Sequence, residues 1–263
     1  RITIRAIRII REMIQKSLVA LALGGLAIGM TEFTMMGVLE DFAKDLDITI
    51  PEAGNFISMY ALGVMVGAPT LIMVTSKYPP KKVLMFFMVL FAIFNALFVI
   101  APSYYTLLAA RFLSGLPHGA FFGVGSVIAS QLATKGKEAQ AIAFMFMGLT
   151  LANLVGVPLG TWLGQAMSWR YTFAIIAALG LVTVMIVQLW VPNVKNSNQG
   201  SLFDQLSFFK KWQAWVLIAM ISIGTAGLFA WISYISPLVT EVAKLSKETV
   251  PVIMILIGLG MFV

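Results

Sequence analysis

Long, nearly continuous apolar runs follow one another along the chain and are separated by short polar stretches. A lipid core of about 30 Å needs about 20 apolar residues at a helical rise of about 1.5 Å. Seven runs reach this length, and their Leu, Ala, Met and Phe content favours helices over the alternating strands of a membrane barrel. The predicted spans cover residues 18–39, 53–75, 83–101, 105–133, 140–166, 171–191 and 214–240. The pattern therefore predicts an all-α membrane protein.

The composition of the 263 residues excludes a water-soluble domain, because 60% of them are hydrophobic and only 11% are charged. Soluble domains are about a quarter charged. The lack of cysteine and the single histidine, His118, exclude disulfide frameworks and common zinc sites, so we expect no metal and no cofactor. A polytopic membrane enzyme is a remote alternative, since the acids are scattered and there is no second histidine. We therefore expect a protein that is not an enzyme.

The positive charge is concentrated in short loops on one side of the membrane. The side that holds the N-terminus carries thirteen Lys and Arg residues, and the opposite side carries four. Because Lys and Arg are retained in the cytoplasm during insertion, we predict a cytoplasmic N-terminus and an outward-facing acidic loop, 40–52. This distribution explains the net charge of +7 without a nucleic-acid partner.

The two ends of the chain have unusual features. The chain begins with Arg1, and Met13 lies just before the first span. The apolar segment from Pro251 to the last residue covers about 20 Å as a helix, which is less than a full span. We therefore expect an incomplete gene product that stops within an eighth span, with residues 1–12 arising from upstream translation.

Two pairs of spans share a sequence pattern, which indicates an internal repeat. At an offset of 90, the first span matches the fourth at Leu23, Gly25, Leu26 and Gly29. At an offset of 89, the second span matches the fifth at Leu62, Val66, Gly67 and Pro69. A unit of three spans must run with opposite topology in its second copy, which is typical of secondary transporters. Chance recurrence of glycine motifs in a glycine-rich membrane chain is the alternative.

The repeat divides the chain into four parts. We predict a basic cytoplasmic N-terminal segment at 1–16 and a six-helix bundle of two inverted repeats at 17–191. A polar cytoplasmic loop follows at 192–211, and the beginning of a second bundle, helix seven and part of helix eight, covers 212–263.

Three titratable side chains fall well inside the predicted spans: Glu32, Arg111 and His118. Helical rise puts Glu32 about 21 Å above the start of its span and Arg111 about 9 Å below the opposite start, so their levels coincide in the membrane. Since charges at this depth need partners, we predict that the two meet, and that an Arg that moves between states makes the acid bind and release a proton. His118 lies seven residues after Arg111, on the same helix face. Static hydrogen bonding is the alternative role for Glu32 and Arg111, whereas the alternative for His118, which follows Pro117, is to fix a kinked helix.

A second group of residues within the spans is predicted to line the substrate pathway. These candidates are Met30, Phe33, Asn55, Tyr60, Phe122, Asn153, Trp231 and Tyr234. For the polar members, and for Asn95 and Gln165, helix packing is the alternative role. A cavity lined by Met and Phe suits varied or partly apolar ligands.

Three stretches of the sequence carry a family resemblance: Gly29 to Gly37, Arg111 to Gly123, and Ser168 to Phe173. With them, residues 17–263 resemble the N-terminal two-thirds of a twelve-span major facilitator superfamily transporter. The chain is most similar to the arabinose efflux permease-like members of the drug:proton antiporter branch. The Arg-Phe-x-x-Gly motif at Arg111 then implies a cavity-facing arginine that takes part in proton coupling.

Two further family motifs occur in altered form. The antiporter motif of span five is represented by Gly148, Gly156, Pro158 and Gly160, with one residue between the Gly and Pro that are usually adjacent. The loop between spans two and three retains the basic pair Lys81 and Lys82, but Lys77 stands where the family has an aspartate. A lysine cannot replace that carboxylate, although these lysines still mark the cytoplasmic side.

The resemblance implies two six-helix bundles that rock around a midplane site. We expect a monomeric, multi-pass protein of the bacterial inner membrane that exports sugars, sugar derivatives or drugs in exchange for protons. Its partners would be the small-molecule substrate, protons and the lipid bilayer. A sugar or metabolite uniporter or importer with the same fold is the alternative.

Overall fold

The computed structural model describes residues 2–195 and 207–262, and helices form nearly all of this part of the chain. The helices are α1 Ile2–Gly37, α2 Leu39–Asp45, α3 Ile50–Thr75, α4 Pro80–Ile100, α5 Tyr104–Leu132, α6 Glu138–Leu151, α7 Val157–Ala166, α8 Trp169–Trp190, α9 Trp212–Ile232, α10 Ile235–Pro237 and α11 Thr249–Phe262. A π-helical turn, Ala152–Gly156, joins α6 to α7, and a second one, Leu238–Val242, follows α10. A short 3₁₀ helix, Ser207–Lys210, precedes α9.

Seven helices of the described part are long and apolar enough to cross a membrane. They are α1 from Gln15 onward, α3, α4, α5, the joined α6 and α7, α8 and α9. The predicted all-α fold is confirmed, and most boundaries agree within a few residues. The seventh span ends at Ile232, not at residue 240, because Pro237 has no N–H to continue the helical hydrogen bonds. Residues 196–206 of the predicted interdomain loop lie outside the described residues.

Side-chain caps fix where two of the spans begin. Thr49 and Glu52 form a reciprocal capping box at the start of α3, and Ser103 and Thr106 form another at the start of α5. Each box satisfies backbone N–H groups that have no partner inside the helix. Both caps lie at the end of the bundle that carries α2 and the α4–α5 turn, which we call the α2 end.

An aromatic cluster fills the bundle near the α2 end. The ring of Phe42 lies 4.6 Å from that of Phe56 and 4.7 Å from that of Trp169, and the Phe98 ring lies 4.8 Å from that of Phe173. All five side chains are fully buried or nearly so. The cluster therefore holds α2, α3, α4 and α8 together at this end of the bundle.

Two close helix crossings show the inverted repeat directly. A Cβ on Gly148 would lie 1.8 Å from the Ala22 carbonyl oxygen, so α6 crosses α1 in backbone contact. A Cβ on Gly63 would lie 2.1 Å from the Phe112 carbonyl oxygen, so α3 crosses α5 in the same way. Small residues allow this approach in lipid, where helices associate by close packing. Ala22 and Phe112 are 90 residues apart, as the repeat predicts.

The crossings change the register predicted for the second pair of spans. Gly25 lies against Met145 and Gly148, whereas Gly115 lies against Tyr60 and Gly63. Equivalent contacts in α3 and α6 are therefore 85 residues apart, not 89, a difference of about one helical turn. The Gly-x-Pro match suggested 89, but those residues lie beyond the crossing, where α6 is interrupted by the π-helical turn.

The segment after α9 packs on the first bundle. Gly258 of α11 approaches the Asn153 carbonyl oxygen, where a Cβ would lie 2.7 Å away. At the α2 end, Lys247 forms an ion pair with Asp41, and the Thr240 hydroxyl donates a hydrogen bond to Glu40. These contacts join α2 and the π-helical turn of the fifth span to the start of the second set of helices.

Candidate functional site

The centre of the bundle contains a fully buried arginine, Arg111 of α5. Its Nε donates to the Phe56 carbonyl oxygen of α3 at 3.4 Å, and its Nη1 donates to the Thr31 carbonyl oxygen of α1 at 3.3 Å. A further contact joins Nη1 to the Thr31 hydroxyl at 3.4 Å. The guanidinium carbon lies 4.4 Å from the centre of the Tyr60 ring, within cation–π range. One side chain thus connects three helices by bonds that need its charge and its planar shape.

The third nitrogen of this guanidinium has no bond. Within the described part of the chain, Nη2 of Arg111 is buried without a hydrogen-bond partner. Buried polar atoms are nearly always satisfied, and an exception often marks a functional group. The family resemblance implied that Arg111 faces a cavity, but in this conformation it is enclosed by protein and has one free donor.

Glu32 lies beside this group, because it directly follows the Thr31 that Arg111 binds. Its side chain is half-buried, and it interacts electrostatically with Arg111. Among the described residues, however, no ion pair within 4.0 Å joins the two side chains; the only pair found there is Asp41 with Lys247. The acid and the guanidinium therefore lie near one another but are not joined by a direct bond in this conformation.

His118 and Tyr60 extend the site one to two turns along α5. The Tyr60 hydroxyl is within 3.0 Å of the His118 Nδ1 atom, and Tyr60 is buried. The imidazole ring lies 5.4 Å from the Phe122 ring, which stacks at 4.7 Å on the partly exposed Phe146. The seven-residue spacing places His118 and Arg111 on one face of α5, so both reach Tyr60 of α3.

A buried hydrogen-bond chain behind Arg111 involves Thr31, which was not among the predicted site residues, and Asn95, which was weighed between a pathway and a packing role. The Thr31 hydroxyl donates to the Asn95 side-chain oxygen at 2.6 Å, and the Asn95 amide donates to the Phe91 carbonyl at 2.8 Å. All of these side chains are buried. The sequence feature that points to Asn95 is that it is the single polar residue between Val83 and Ile100 of α4.

The other predicted pathway residues are spread over three places. Asn55 donates to the Tyr104 hydroxyl at 3.0 Å at the α2 end, and Met30 packs on Gly156 of the fifth span. The Phe33 ring lies 5.8 Å from the Phe229 ring of α9. Of the predicted set, only Tyr60 and Phe122 contact the charged centre with their own rings in the described part of the chain.

The last three pathway candidates lie at the junction with the second set of helices or outside it. Asn153 is buried and donates to the Leu149 carbonyl at 3.2 Å, one turn back in its own span. The Tyr234 hydroxyl lies against Gly54, where a Cβ would be 2.4 Å away. The Trp231 side chain is 49% exposed.

The glycine and proline motif of the fifth span forms a widened helical turn. Within Ala152–Gly156 the helix becomes π-helical, and the Val157 N–H donates to the Ala152 carbonyl, five residues back. Pro158 follows directly and cannot donate, so the extra residue relieves the clash that its ring would cause in a regular helix. Gly148 and Gly160 lie on either side of this turn, packed on Ala22 and on Thr34 with Thr172.

The lysines of the α3–α4 loop have different environments. The Lys81 ammonium donates to the Gln188 carbonyl oxygen at 2.8 Å and so connects the start of α4 to the end of α8. Lys77 and Lys82 are exposed. Of these three lysines, only Lys81 forms a hydrogen bond among the described contacts.

The arrangement suits movement of a charge. In the described residues, no group of three His, Asp or Glu side chains is close enough to hold a metal ion. An acid and a guanidinium that share a level without a bond can pair in one conformation and separate in another. Such a change would alter the proton affinity of the acid.

Comparison with sequence families identifies relatives over nearly the whole chain. The sequence model described as Major Facilitator Superfamily matches residues 21–263. The chain is 44% identical to AraJ of Escherichia coli (strain K12) over 94% of its own length and 63% of AraJ. It is 40% identical to "Inner membrane transport protein YdhP" of the same strain, with 92% of this chain and 62% of that protein covered. It is also 29% identical to "Probable sugar efflux transporter" of Pasteurella multocida (strain Pm70), over 92% of this chain and 60% of that protein.

Solved structures share the fold at low sequence identity. A bacterial homolog of the human lysosomal transporter Spinster has a TM-score of 0.71 at 17% identity, over 95% of this chain and 61% of that one. A D-xylose-proton symporter has a TM-score of 0.69 at 15% identity, over 94% and 66% of the two chains. The chain thus spans a little under two-thirds of the length of the curated relatives it matches.

Proposed function

Since the chain belongs to the Major Facilitator Superfamily, we propose that it supplies the proton-coupling half of a secondary exporter of small molecules. Residues 17–191 form the first bundle, 192–211 the cytoplasmic connection and 212–263 the start of the second bundle. The protein acts as a monomer that spans the bacterial inner membrane many times. The thirteen-to-four split of Lys and Arg supports a cytoplasmic N-terminus, with the α2 end facing outward.

One observation carries the proposal: Arg111 is fully buried in the bundle, bonds to α1 and α3, and leaves one buried donor free beside Glu32. Charges at this depth in a membrane are expensive, and they mark ion or substrate pathways by default.

The coupling cycle follows from this geometry. When Glu32 is protonated, Arg111 keeps its bonds to the Thr31 and Phe56 carbonyls and α1 stays where it is. When Glu32 loses its proton, the carboxylate attracts the free Nη2 atom, and the bonds that hold α1 against α5 rearrange. Because the bonds of α1 to the rest of the bundle then differ in the two protonation states, the proton biases which side of the membrane the site faces.

The chemistry next to Arg111 supports sugars or sugar derivatives as the substrate class. The Tyr60 hydroxyl and His118 imidazole provide hydrogen-bonding groups, and the stacked rings of Phe122 and Phe146 provide an aromatic face. Mostly apolar walls with a few placed polar groups are typical of small-molecule sites. Two relatives carry the name "Probable sugar efflux transporter", which favours sugars over amphipathic drugs.

A transport assay with the purified full-length protein in vesicles tests the coupling. With an acidic interior, protons leave as substrate enters, so labelled pentoses and hexoses from a panel should accumulate. We expect Glu32→Gln to reduce gradient-driven accumulation at least about tenfold. Exchange of labelled for unlabelled sugar, which moves no net proton, should continue.

The matched control is Glu241→Gln, which changes an exposed acid beyond α10 and should leave both activities unchanged. Gradient-driven accumulation that survives in Glu32→Gln would remove this residue from the mechanism. If the unmodified protein only equilibrates the sugar, at a rate that does not respond to collapse of the pH gradient, the alternative of a uniporter is correct. Accumulation only with the opposite gradient would indicate an importer.

A further inference from the structure

A groove of about 390 Å³ lies on the outside of the bundle between α4 and α8, away from the coupling site. Its floor is formed by alanines of both helices, and larger apolar side chains form its walls. The residues that matter here are Ala92, Ala96, Ala174, Ala178, Ile100 and Leu181. Ile100 is 72% exposed and Leu181 53% exposed, so the groove opens toward lipid.

The groove exists because small side chains line the space between these two helices over part of their length. Gly180 packs against Phe91, where a Cβ would lie 2.8 Å from the ring, and this contact closes the groove in the middle of the membrane. From there to the α2 end, alanines replace the larger side chains that would fill the space between the helices. Along α4, residues 92–100 give a length of about 12 Å, close to the depth of one lipid leaflet, about 15 Å.

An arginine lies at the open end of this groove. Nη1 of Arg170 donates to the carbonyl oxygens of Val99, at 2.5 Å, and Ala101, at 3.3 Å. Val99 itself lines the groove. The guanidinium stacks 4.4 Å from the centre of the Trp169 ring and is half-buried. Among residues 15–195 and 209–260, no carboxylate is within ion-pair distance of Arg170, so its charge is not neutralised there.

We propose that this groove binds one phospholipid, with an acyl chain along the alanine floor and the lipid phosphate on Arg170. The apolar lining, the lipid-facing opening and a length close to one leaflet fit an acyl chain, and the cation fits the phosphate that follows it. Basic sites between membrane helices bind lipid head groups in this way. Tyr171, exposed beside Arg170, is an aromatic residue of the kind that lies at head-group level.

Native mass spectrometry of the full-length protein with added phosphatidylglycerol tests the proposal. Arg170→Gln should lower the lipid-bound fraction about fivefold through loss of the phosphate contact. Ala178→Leu fills the groove but keeps Arg170 and its carbonyl bonds, and it should lower binding about fivefold or more. Glycerol phosphate at the same concentration should not displace the lipid, since it has no acyl chain.

Matched variants separate this site from general effects on the surface. Lys44→Gln removes an exposed cation at the same end, and Val182→Leu enlarges a lipid-facing side chain of α8 outside the groove; both should bind lipid normally. Arg170→Lys keeps the charge and guards against local unfolding of the α4 end, so it should restore most binding. Unchanged binding in either Arg170→Gln or Ala178→Leu, or displacement by glycerol phosphate, would overturn the proposal.

Discussion

The two glycine crossings of the bundle share one backbone geometry but differ in chemistry. In the α3–α5 crossing, Arg111 and His118 lie near Tyr60. At an offset of 90, the positions equivalent to Arg111 and His118 in α1 are Leu21 and Ile28. The position in α6 equivalent to Tyr60 is Met145, because Gly25 contacts Met145 as Gly115 contacts Tyr60. All three counterparts are fully buried and apolar.

This difference separates the residues needed for helix packing from those needed for function. Both crossings need glycine, since each puts a backbone carbonyl where a Cβ would be. Only one crossing carries polar side chains, although an apolar set demonstrably fits the same geometry in the other repeat. Because buried charge is costly in a membrane, the polar set at α3–α5 is best explained by function rather than by packing.

The largest expected effect is a loss of stability when a crossing glycine is replaced, and this loss should be equal in the two crossings. Gly63→Ala and Gly148→Ala each place a methyl group about 2 Å from a backbone carbonyl oxygen. We expect either change to destabilise the protein by about 1–3 kcal/mol or more, because helix backbones must separate. Thermal unfolding of the purified full-length protein measures this.

The control for these variants is Gly123→Ala, whose new methyl group would meet only the flexible end of the Ile72 side chain. It should shift the unfolding temperature far less. If Gly63→Ala lowered stability but Gly148→Ala did not, the equivalence of the two crossings would be wrong.

The next largest effect should be a loss of transport, and it should appear only when the α3–α5 crossing is changed. Arg111→Leu gives α5 the residue that α1 has at the equivalent position. We expect transport to fall about a hundredfold, because the coupling charge is lost. Thermal stability should change by no more than about 2 kcal/mol, since replacing a buried charge with an apolar group is often near neutral.

Arg111→Lys distinguishes charge from shape at the same position. A lysine keeps the charge but cannot donate to the Phe56 and Thr31 carbonyls in a fixed plane, so transport should still fall about tenfold. Leu21→Met, in the apolar crossing, should leave transport unchanged. Full activity in Arg111→Leu would show that the polar set is dispensable.

A smaller effect is expected at the edge of the polar crossing. Tyr60→Phe removes the hydroxyl that bonds to His118 and keeps the ring beside Arg111. We expect a loss of about 0.5–1.5 kcal/mol in unfolding free energy and a modest change in substrate KM. Met145→Leu is the matched change in the other crossing. A large fall in kcat with unchanged KM in Tyr60→Phe would instead place Tyr60 in proton transfer.

The smallest effect should lie outside both crossings, where Asp41 meets Lys247. Their side chains are 19% and 37% exposed, and partly exposed ion pairs contribute about 0–1 kcal/mol. A double-mutant cycle with Asp41→Asn and Lys247→Gln should give a coupling energy in that range. A value as large as the effect of Gly148→Ala would mean that this contact, rather than the crossings, holds the fold together.

The spans and the three-helix repeat were predictable from sequence because both depend on patterns local to one helix. The length of an apolar run locates a span, and the glycines of α1 and α5 recur at a fixed offset. The residue offset that makes α3 and α6 equivalent was not predictable. The Gly-x-Pro match gives the wrong offset because it does not account for the extra residue of the π-helical turn. Contacts between helices, not sequence order, determine that register.

The charged centre was predictable in part, for a similar reason. Glu32, Arg111 and His118 are rare residue types in a span, and their depth follows from helical rise alone. Thr31 was not predicted, and Asn95 was left between a pathway and a packing role, because a threonine or an amide inside a span usually serves packing. Only the structure shows that their hydrogen bonds end at Arg111.

The most direct test of coupling is to measure proton movement when substrate is added to vesicles that contain the full-length protein and a pH-sensitive dye. The unmodified protein should release protons from the interior as sugar enters, whereas Glu32→Gln should take up the sugar with no proton signal. Equal proton release by both proteins would contradict the assignment of the coupling proton to Glu32.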